Sequence, residues 1–486
     1  MRNYFSSQTQ KNFVILCKNF NTMKLFPSHV YEARREKFMQ KINNGIVIFP
    51  GNNESPMNYP ANTYHFRQDS TFLYFFGLNL SGLGAIIDID KQTTTIYGND
   101  VDIESIIWMG PQPSIASLAE QVGIKQTKPF AAFENDINEA ILAQRKIHYL
   151  PPYRHDNMMM LNKLLKIPFA ELKAQSSEEA IKAAVSLREI KDSYEIAEME
   201  EAAKTGYEMH MAAMKMARPG MYEREIAGIV EGIALGGGGN VSFPVICSIR
   251  GETLHNHYHG NIMNKGDLLL LDCGAETQMN YCSDYTRTMP VSGSFTNQQK
   301  NIYQIVVDAN NKACDLVKPG MVNREIHLES CRVIASGLKD LGLMKGNVED
   351  AVMNGAHALF FPHGLGHMIG LDVHDMEDYG ENYVGYDDEI NRATQFGTAY
   401  VRLGKRLKEG FALTIEPGIY FIPALIEKWK TEHVHESFIN YSEVEKYIGF
   451  GGIRLEDDVL VTASGGKFIG DRLPITIKEV EKAMKG

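Results

Sequence analysis

A chain of 486 residues exceeds what one hydrophobic core ordinarily serves, so two or more domains are expected. Its 44% hydrophobic and 22% charged residues are those of a globular protein, and a net charge of -11 leaves no basic footprint for nucleic acid. No apolar run approaches the roughly 20 residues that span a bilayer, and six scattered cysteines without a Cys-x-x-Cys pair read as a reduced, cytoplasmic chain with no visible thiolate zinc site.

Residues 1–22 hold one short apolar run, 13–17, too short for a secretory segment. They read as a disordered extension, and Met23 opens the first well-patterned stretch. Residues 30–42 pattern as an amphipathic helix of mixed charge. Gly45-Ile46-Val47-Ile48-Phe49-Pro50 reads as a buried strand ended by proline, with further strands over 71–76 and 85–89. Alternating strands and helical segments to about residue 175 predict an N-terminal α/β domain over 23–180. From 177 to 217 the pattern is helical, with Ile190, Ile196, Met199, Ala203 and Tyr207 near helical spacing, until Arg218-Pro219-Gly220 stops it. A second domain is expected over 181–486.

The second domain repeats itself. Arg218-Pro219-Gly220-Met221 with Arg224-Glu225-Ile226 matches Lys318-Pro319-Gly320-Met321 with Arg324-Glu325-Ile326. Gly266, Asp272 and Gly274 recur at the same spacing as Gly410, Glu416 and Gly418, each set around a continuous apolar run that reads as a buried strand. Asp284 and Gly293 recur as Glu456 and Gly465. Three echoes in one order imply two related halves, each with helices packed on a sheet.

Singly, an acidic residue after an apolar run is an ordinary turn residue. Paired halves change that reading, because a pseudo-twofold would bring Asp272, Asp284, Glu416 and Glu456 to one point. Four clustered carboxylates lose hydration and repel, at several kcal/mol each, unless cations are present. Carboxylate oxygens suit hard divalent ions, and four of them with an imidazole favour manganese, iron or cobalt over thiolate-type zinc. Two such ions activate water and polarise a carbonyl at neutral pH. The imidazole is offered by His363-Gly364-Leu365-Gly366-His367, whose glycines oppose a helix and whose histidines share a face in an extended strand. His374 follows, and His255-Asn256-His257-Tyr258-His259 alternates in the same way.

These motifs resemble the pita-bread metallopeptidases: methionine aminopeptidase, aminopeptidase P and prolidase. The resemblance is carried by Leu271-Asp272-x-Gly274, Ser283-Asp284-x-Thr286-Arg287-Thr288, His363 to His367, Thr414-Ile415-Glu416-Pro417-Gly418 and Gly452-Ile453-Arg454-Leu455-Glu456. Tyr64-His65-Phe66-Arg67-Gln68-Asp69-Ser70, with Phe72, Tyr74, Phe75 and Gly77, is similar to the N-terminal domain of aminopeptidase P and prolidase. The resemblance implies an N-terminal creatinase-like α/β domain followed by a pita-bread α+β domain with an internal pseudo-twofold repeat. It also implies that Asp272, Asp284, His367, Glu416 and Glu456 ligate two metal ions, manganese first, with Asp284 and Glu456 bridging. By the same resemblance Glu416 shuttles a proton, His255, His363 and His374 position substrate, and Arg454 supports the site. One departure is a separation of twelve between Asp272 and Asp284, one more than is usual in the family; the extra residue falls in an expected hairpin over 276–283.

Within the family, the sequence favours an Xaa-Pro dipeptidase, with aminopeptidase P as the alternative. A dipeptidase must hold a free carboxylate, and Arg402 aligns with the carboxylate-binding arginine of prolidases. The long segment 421–450 also resembles prolidase. Against this, Ile107-Trp108-x-Gly110 resembles an aminopeptidase P segment near the active site, which makes Trp108 a substrate-binding candidate. A non-catalytic pita-bread binding protein is a third, minor reading. The implied partners are a peptide with proline in second position and a second or further copies of the chain, as a homodimer or homotetramer, with no nucleic acid and no membrane.

Overall fold

The computed structural model describes residues 23–485, so the extension expected over 1–22 lies outside the described residues. The chain divides into two compact units between Arg188 and Glu189. Among the described residues no helix is long and apolar enough to cross a membrane.

In the first unit the chain runs through helix Ser28–Met39, β1 (Ile46–Pro50), the hairpin β2 (Pro56–Tyr59) and β3 (Asn62–Thr63), β4 (Gly84–Asp88), β5 (Thr93–Tyr97), β6 (Gln126–Lys128) and β7 (Ile147–His148). Five of these strands form one mixed sheet in the order β6-β5-β4-β1-β7, with β1 antiparallel to β4 and parallel to β7. Its two central strands are apolar because both faces are covered. Ile46, Ile48 and Ile86 pack with Tyr97, Phe133 and Leu161 in a single core.

The strand expected over 71–76 is instead the helix Ser70–Phe76. An unbroken apolar run carries no period, so length and caps decide it. Here Asp69 accepts a hydrogen bond from the Phe72 amide at 2.8 Å, and Gly77 closes the helix at φ 67. All seven residues are buried, which hides the amphipathic signature.

In the second unit, β8 (Ile246–Ser248), β9 (Leu268–Cys273) and β10 (Tyr285–Pro290) form one antiparallel sheet. A second sheet follows the order β11-β14-β15, from β11 (Ala412–Ile415), β14 (Asp457–Thr462) and β15 (Gly465–Phe468), and the pair β12 (Gly418–Tyr420) with β13 (Gly452–Arg454) lies between them in sequence. Two helix pairs accompany the sheets: Ser193–Met216 with Glu223–Gly236, and Asn297–Leu316 with Asn323–Asp340. Each pair turns at a Pro-Gly-Met corner, where Gly220 and Gly320 take φ 93 and φ 88, a conformation that side-chain-bearing residues avoid. The elements that echo each other in sequence thus recur as elements of structure. The first unit is α/β and the second α+β, as expected.

The helical stretch read over 177–217 is two helices, Glu178–Arg188 and Ser193–Met216. The break is chemical. Asp192 accepts from the amides of Tyr194 and Glu195, and Glu195 reaches back to the Asp192 amide at 3.1 Å. That reciprocal cap starts a new helix within an otherwise continuous pattern.

Candidate active site

The ends of the second unit's buried strands meet at a cavity of about 680 Å³. Asp272 stands near the end of β9 opposite Thr286 of β10, and Asp284 immediately precedes β10. Glu416 follows β11, and Glu456 sits between β13 and β14. His367 arrives on an extended segment laid along β11: the Thr414 amide donates to its carbonyl at 2.9 Å, and the Glu416 amide to that of Leu365 at 2.7 Å. This approach demands a glycine, since a Cβ on Gly366 would stand 1.9 Å from the Thr414 carbonyl oxygen. All five side chains line the cavity, with His255, His363, His374, Arg402 and Arg454.

The donors converge. His367 Nε2 lies 3.4 Å from Asp284 and 3.9 Å from Glu416, and one ligand atom from each of Asp284, His367 and Glu456 fits within 4.8 Å of the others. His367 Nδ1 is 3.0 Å from the Met368 carbonyl, which can only accept, so the ring proton sits on Nδ1. Burial holds the ring well below its usual basicity. A neutral His367 therefore aims the Nε2 lone pair at two carboxylates. Buried Oδ1 atoms of Asp272 and Asp284 have no hydrogen-bond partner. Burial first pushes Asp284 and Glu456 well above the usual carboxylate range, and neighbouring carboxylates add to it, Glu456 and Asp272 at Asp284 and Glu416 and Asp272 at Glu456, while burial raises Glu416 to about 7. Lone pairs and anions aimed at one point fit a bound cation, and the oxygen-rich donor set fits a hard divalent one.

A surrounding frame fixes these groups. In β10 the period of two puts Asp284, Thr286 and Thr288 on one face. Thr286 donates to Glu456 at 2.7 Å and accepts from Arg454 Nε at 3.1 Å. Thr288 donates to the Arg454 carbonyl at 3.1 Å. Arg454 also ion-pairs with Asp272 and donates to the Tyr420 hydroxyl at 2.9 Å. That hydroxyl stands 2.8 Å from His363 Nε2, whose partner nitrogen Nδ1 is 2.8 Å from the Gly364 carbonyl. On the opposite face of β10, Arg287 pairs with Asp457 in full burial, and Asp458 accepts from the Asp284 amide at 2.9 Å. Asp457 and Asp458 therefore buttress the site from behind.

Four frame residues were not singled out by sequence reasoning. Thr286 stood inside a recognised motif, and strand periodicity could have found it. Tyr420 and Asn310, whose amide spans the Ile415 and Leu455 carbonyls, carry no sequence signal. Glu377, paired with both His374 and Arg402, carries none either. The expected hairpin over 276–283 is present, with Glu276 bridged to Cys282 and Asn280 at φ 64. Trp108 belongs to the first unit, on helix Ile103–Met109, and is 79% exposed.

Residues 197–463, more than half of the chain, match the model of metallopeptidase family M24. The chain belongs to metallopeptidase family M24. Residues 31–148 match the aminopeptidase P N-terminal domain, which narrows the likeness within M24. A probable Xaa-Pro aminopeptidase of Sordaria macrospora is 30% identical, covering 82% of this chain and 83% of its own. The Xaa-Pro dipeptidase of Homo sapiens is 28% identical, covering 96% and 95%. Among solved structures, proline aminopeptidase P II from Yersinia pestis is similar with a TM-score of 0.76 at 26% identity, covering 95% of this chain and 100% of that one. Within this M24 fold the five donor-type residues nominated by the sequence line one cavity, and Asp284, His367 and Glu456 among them lie close enough together to hold a metal ion.

Proposed function

We propose that this chain is a metal-dependent exopeptidase that hydrolyses the bond between a first residue and a following proline, working as an Xaa-Pro aminopeptidase. The observation that carries the reading is the convergence of five metal-type donors on the floor of a cavity in an M24 fold. The preference for aminopeptidase over the dipeptidase expected from sequence rests on the relatives. Fungal relatives named probable Xaa-Pro aminopeptidase and bacterial aminopeptidase P structures dominate the likenesses.

Asp272, Asp284, His367, Glu416 and Glu456 would hold two divalent ions, manganese in keeping with four carboxylates and one imidazole. When bound, such ions polarise the scissile carbonyl and acidify water. Glu416, 3.8 Å from His363, is placed to take a proton from the attacking water and return it to the departing proline nitrogen. Arg454 holds Asp272 directly and Glu456 through Thr286. His255, His363 and His374 flank the cavity, where they orient the peptide. Burial lowers His255 and takes His363 down to about 3, so both work as neutral rings.

A homo-oligomer is part of the proposal, in keeping with Ile103, Ile107, Trp108 and Met109 exposed together on one short helix. A cytoplasmic setting goes with the reduced pattern of the cysteines. The dipeptidase remains the second reading because Arg402 reaches the cavity and the human dipeptidase matches nearly end to end. The test is to load the protein with manganese, offer Ala-Pro and Ala-Pro-Ala in parallel, and follow free alanine by mass spectrometry. Release from the tripeptide is the expected result; release from the dipeptide alone would establish the second reading. Release from neither, with metal bound, would remove both.

A further inference from the structure

Outside the carboxylate centre, the second unit assembles another set of ligand-type side chains. His327 and Cys331 are four residues apart on helix Asn323–Asp340, so they share a face one turn apart. His357 meets them from the short turn Ala356–Leu359. One ligand atom from each lies within 4.8 Å of the other two, and all three residues are fully buried. Cys331 Sγ is 3.5 Å from His327 Nε2. Metal bonds of about 2.3 Å to sulfur and about 2.0 Å to nitrogen put those atoms about 3.5 Å apart around a shared ion.

The second observation is a concentration of polar atoms with nothing to bond. His327 Nδ1 and both ring nitrogens of His357 have no hydrogen-bond partner, and neither do Asn323 Oδ1 and Ser330 Oγ on the same helix. Burial lowers His357, against which the Val352 backbone favours the protonated ring without meeting hydrogen-bond geometry. Buried polar atoms left unpaired are destabilising, so such a group calls for an occupant. The first half of the repeat argues for specificity. Ala227 and Glu231 stand where the second half has His327 and Cys331, so the helix pair folds without these ligands.

We propose that His327, Cys331 and His357 hold a single thiophilic metal ion, zinc or cuprous copper, separate from the carboxylate centre. Two imidazoles and a thiolate are soft donors, unlike the oxygen-rich cavity floor. Binding releases the Cys331 thiol proton to solvent, leaving the thiolate on the ion. Cuprous copper with one thiolate is neutral overall and needs no further donor; zinc takes a fourth ligand. The ion ties the helix to the turn that leads into the active-site loop. The Phe361 ring lies between the two sites, its centroid 5.4 Å from that of His327 and 4.8 Å from that of His363. The inference does not depend on which peptide the enzyme cuts.

The test uses the full chain, expressed in parallel with added zinc and with added copper. Native dialysis against a chelator strips the open carboxylate centre, and elemental analysis then counts what remains. About one equivalent of zinc or copper per chain is expected to persist, and to fall at least fivefold in Cys331→Ala and in His357→Gln. X-ray absorption of the ion retained by the unmutated protein keeps the test independent of variant folding, with one sulfur and two imidazoles expected. No retained zinc or copper, or a retained ion with oxygen and nitrogen neighbours only, would overturn the proposal and leave water as the occupant.

Discussion

The Tyr420 hydroxyl stands 2.8 Å from His363 Nε2 and takes its other hydrogen bond from Arg454 at 2.9 Å. Because Arg454 can only donate and the Gly364 carbonyl can only accept, the chain of bonds has one direction: Arg454 to Tyr420, Tyr420 to His363, His363 to Gly364. Tyr420 is thus the link that fixes both the tautomer and the tilt of a wall histidine.

Tyr420→Phe removes that link while keeping the ring packed. The loss of one orienting hydrogen bond, worth about 1–1.5 kcal/mol, lowers kcat/KM for Ala-Pro-Ala about tenfold. Metal content stays at the wild-type value, since Tyr420 touches no donor except through Arg454. Steady-state kinetics beside elemental analysis checks both halves, and loss of metal along with rate would show that Tyr420 supports the floor instead.

Thr286 acts on the other side of the frame. Its hydroxyl donates to Glu456 at 2.7 Å, so Thr286→Val leaves a buried carboxylate oxygen with one partner fewer. Partners that orient a ligating carboxylate are worth about 10–100-fold in metal affinity. Competition with a graded chelator should show a loss of that size, and activity at saturating manganese should recover most of its value. An unchanged affinity would mean that Glu456 keeps its ligating position without the Thr286 hydroxyl.

Asp272, Asp284, Glu416 and Glu456 were legible because each sits at a strand end whose apolar run and turn residues are local features, and His367 because it closes a glycine-spaced histidine motif. The repeat then supplied what no single motif could, their meeting at one point. Tyr420 and Glu377 were not legible because their roles arise from contacts across more than 20 residues of chain or from a loop without period. His327, Cys331 and His357 failed for a related reason: one ligand pair follows helical spacing rather than Cys-x-x-Cys, and its third member comes from another element. The strand read over 71–76 shows the limit of periodicity, since a fully buried helix of seven residues has no polar face to betray it.

Arg402 separates the two peptidase readings. In the structure its Nη1 is taken up by Glu377, which also holds His374, so part of the guanidinium fork is already engaged. The aminopeptidase reading predicts that Arg402→Ala lowers cleavage of Ala-Pro and Ala-Pro-Ala by similar factors, within about threefold of each other, as expected for a wall residue that steadies His374. A loss concentrated on the dipeptide, by about 1.4 kcal/mol or more in transition-state binding, would restore the carboxylate clamp.

Acid stability offers a test away from the metal. Glu189 is buried beside Lys405 and Lys408, at 2.7 and 2.8 Å. Burial alone would raise its carboxyl, but the Lys405 and Lys408 ammoniums outweigh that and hold it below the usual range. A carboxylate depressed in the folded state contributes stability that is fully present above its unfolded value of about 4.3, and loses it as pH falls through the lower folded value. Removing one partner of a buried pair costs about 3 kcal/mol, so Glu189→Gln should lower the unfolding free energy by that amount at pH 7. The deficit should shrink steadily below about pH 4, where the wild-type carboxylate begins to take up its proton. Urea unfolding of both proteins across that range measures it, and a deficit that stayed constant with pH would mean that shape rather than charge holds Glu189 in place.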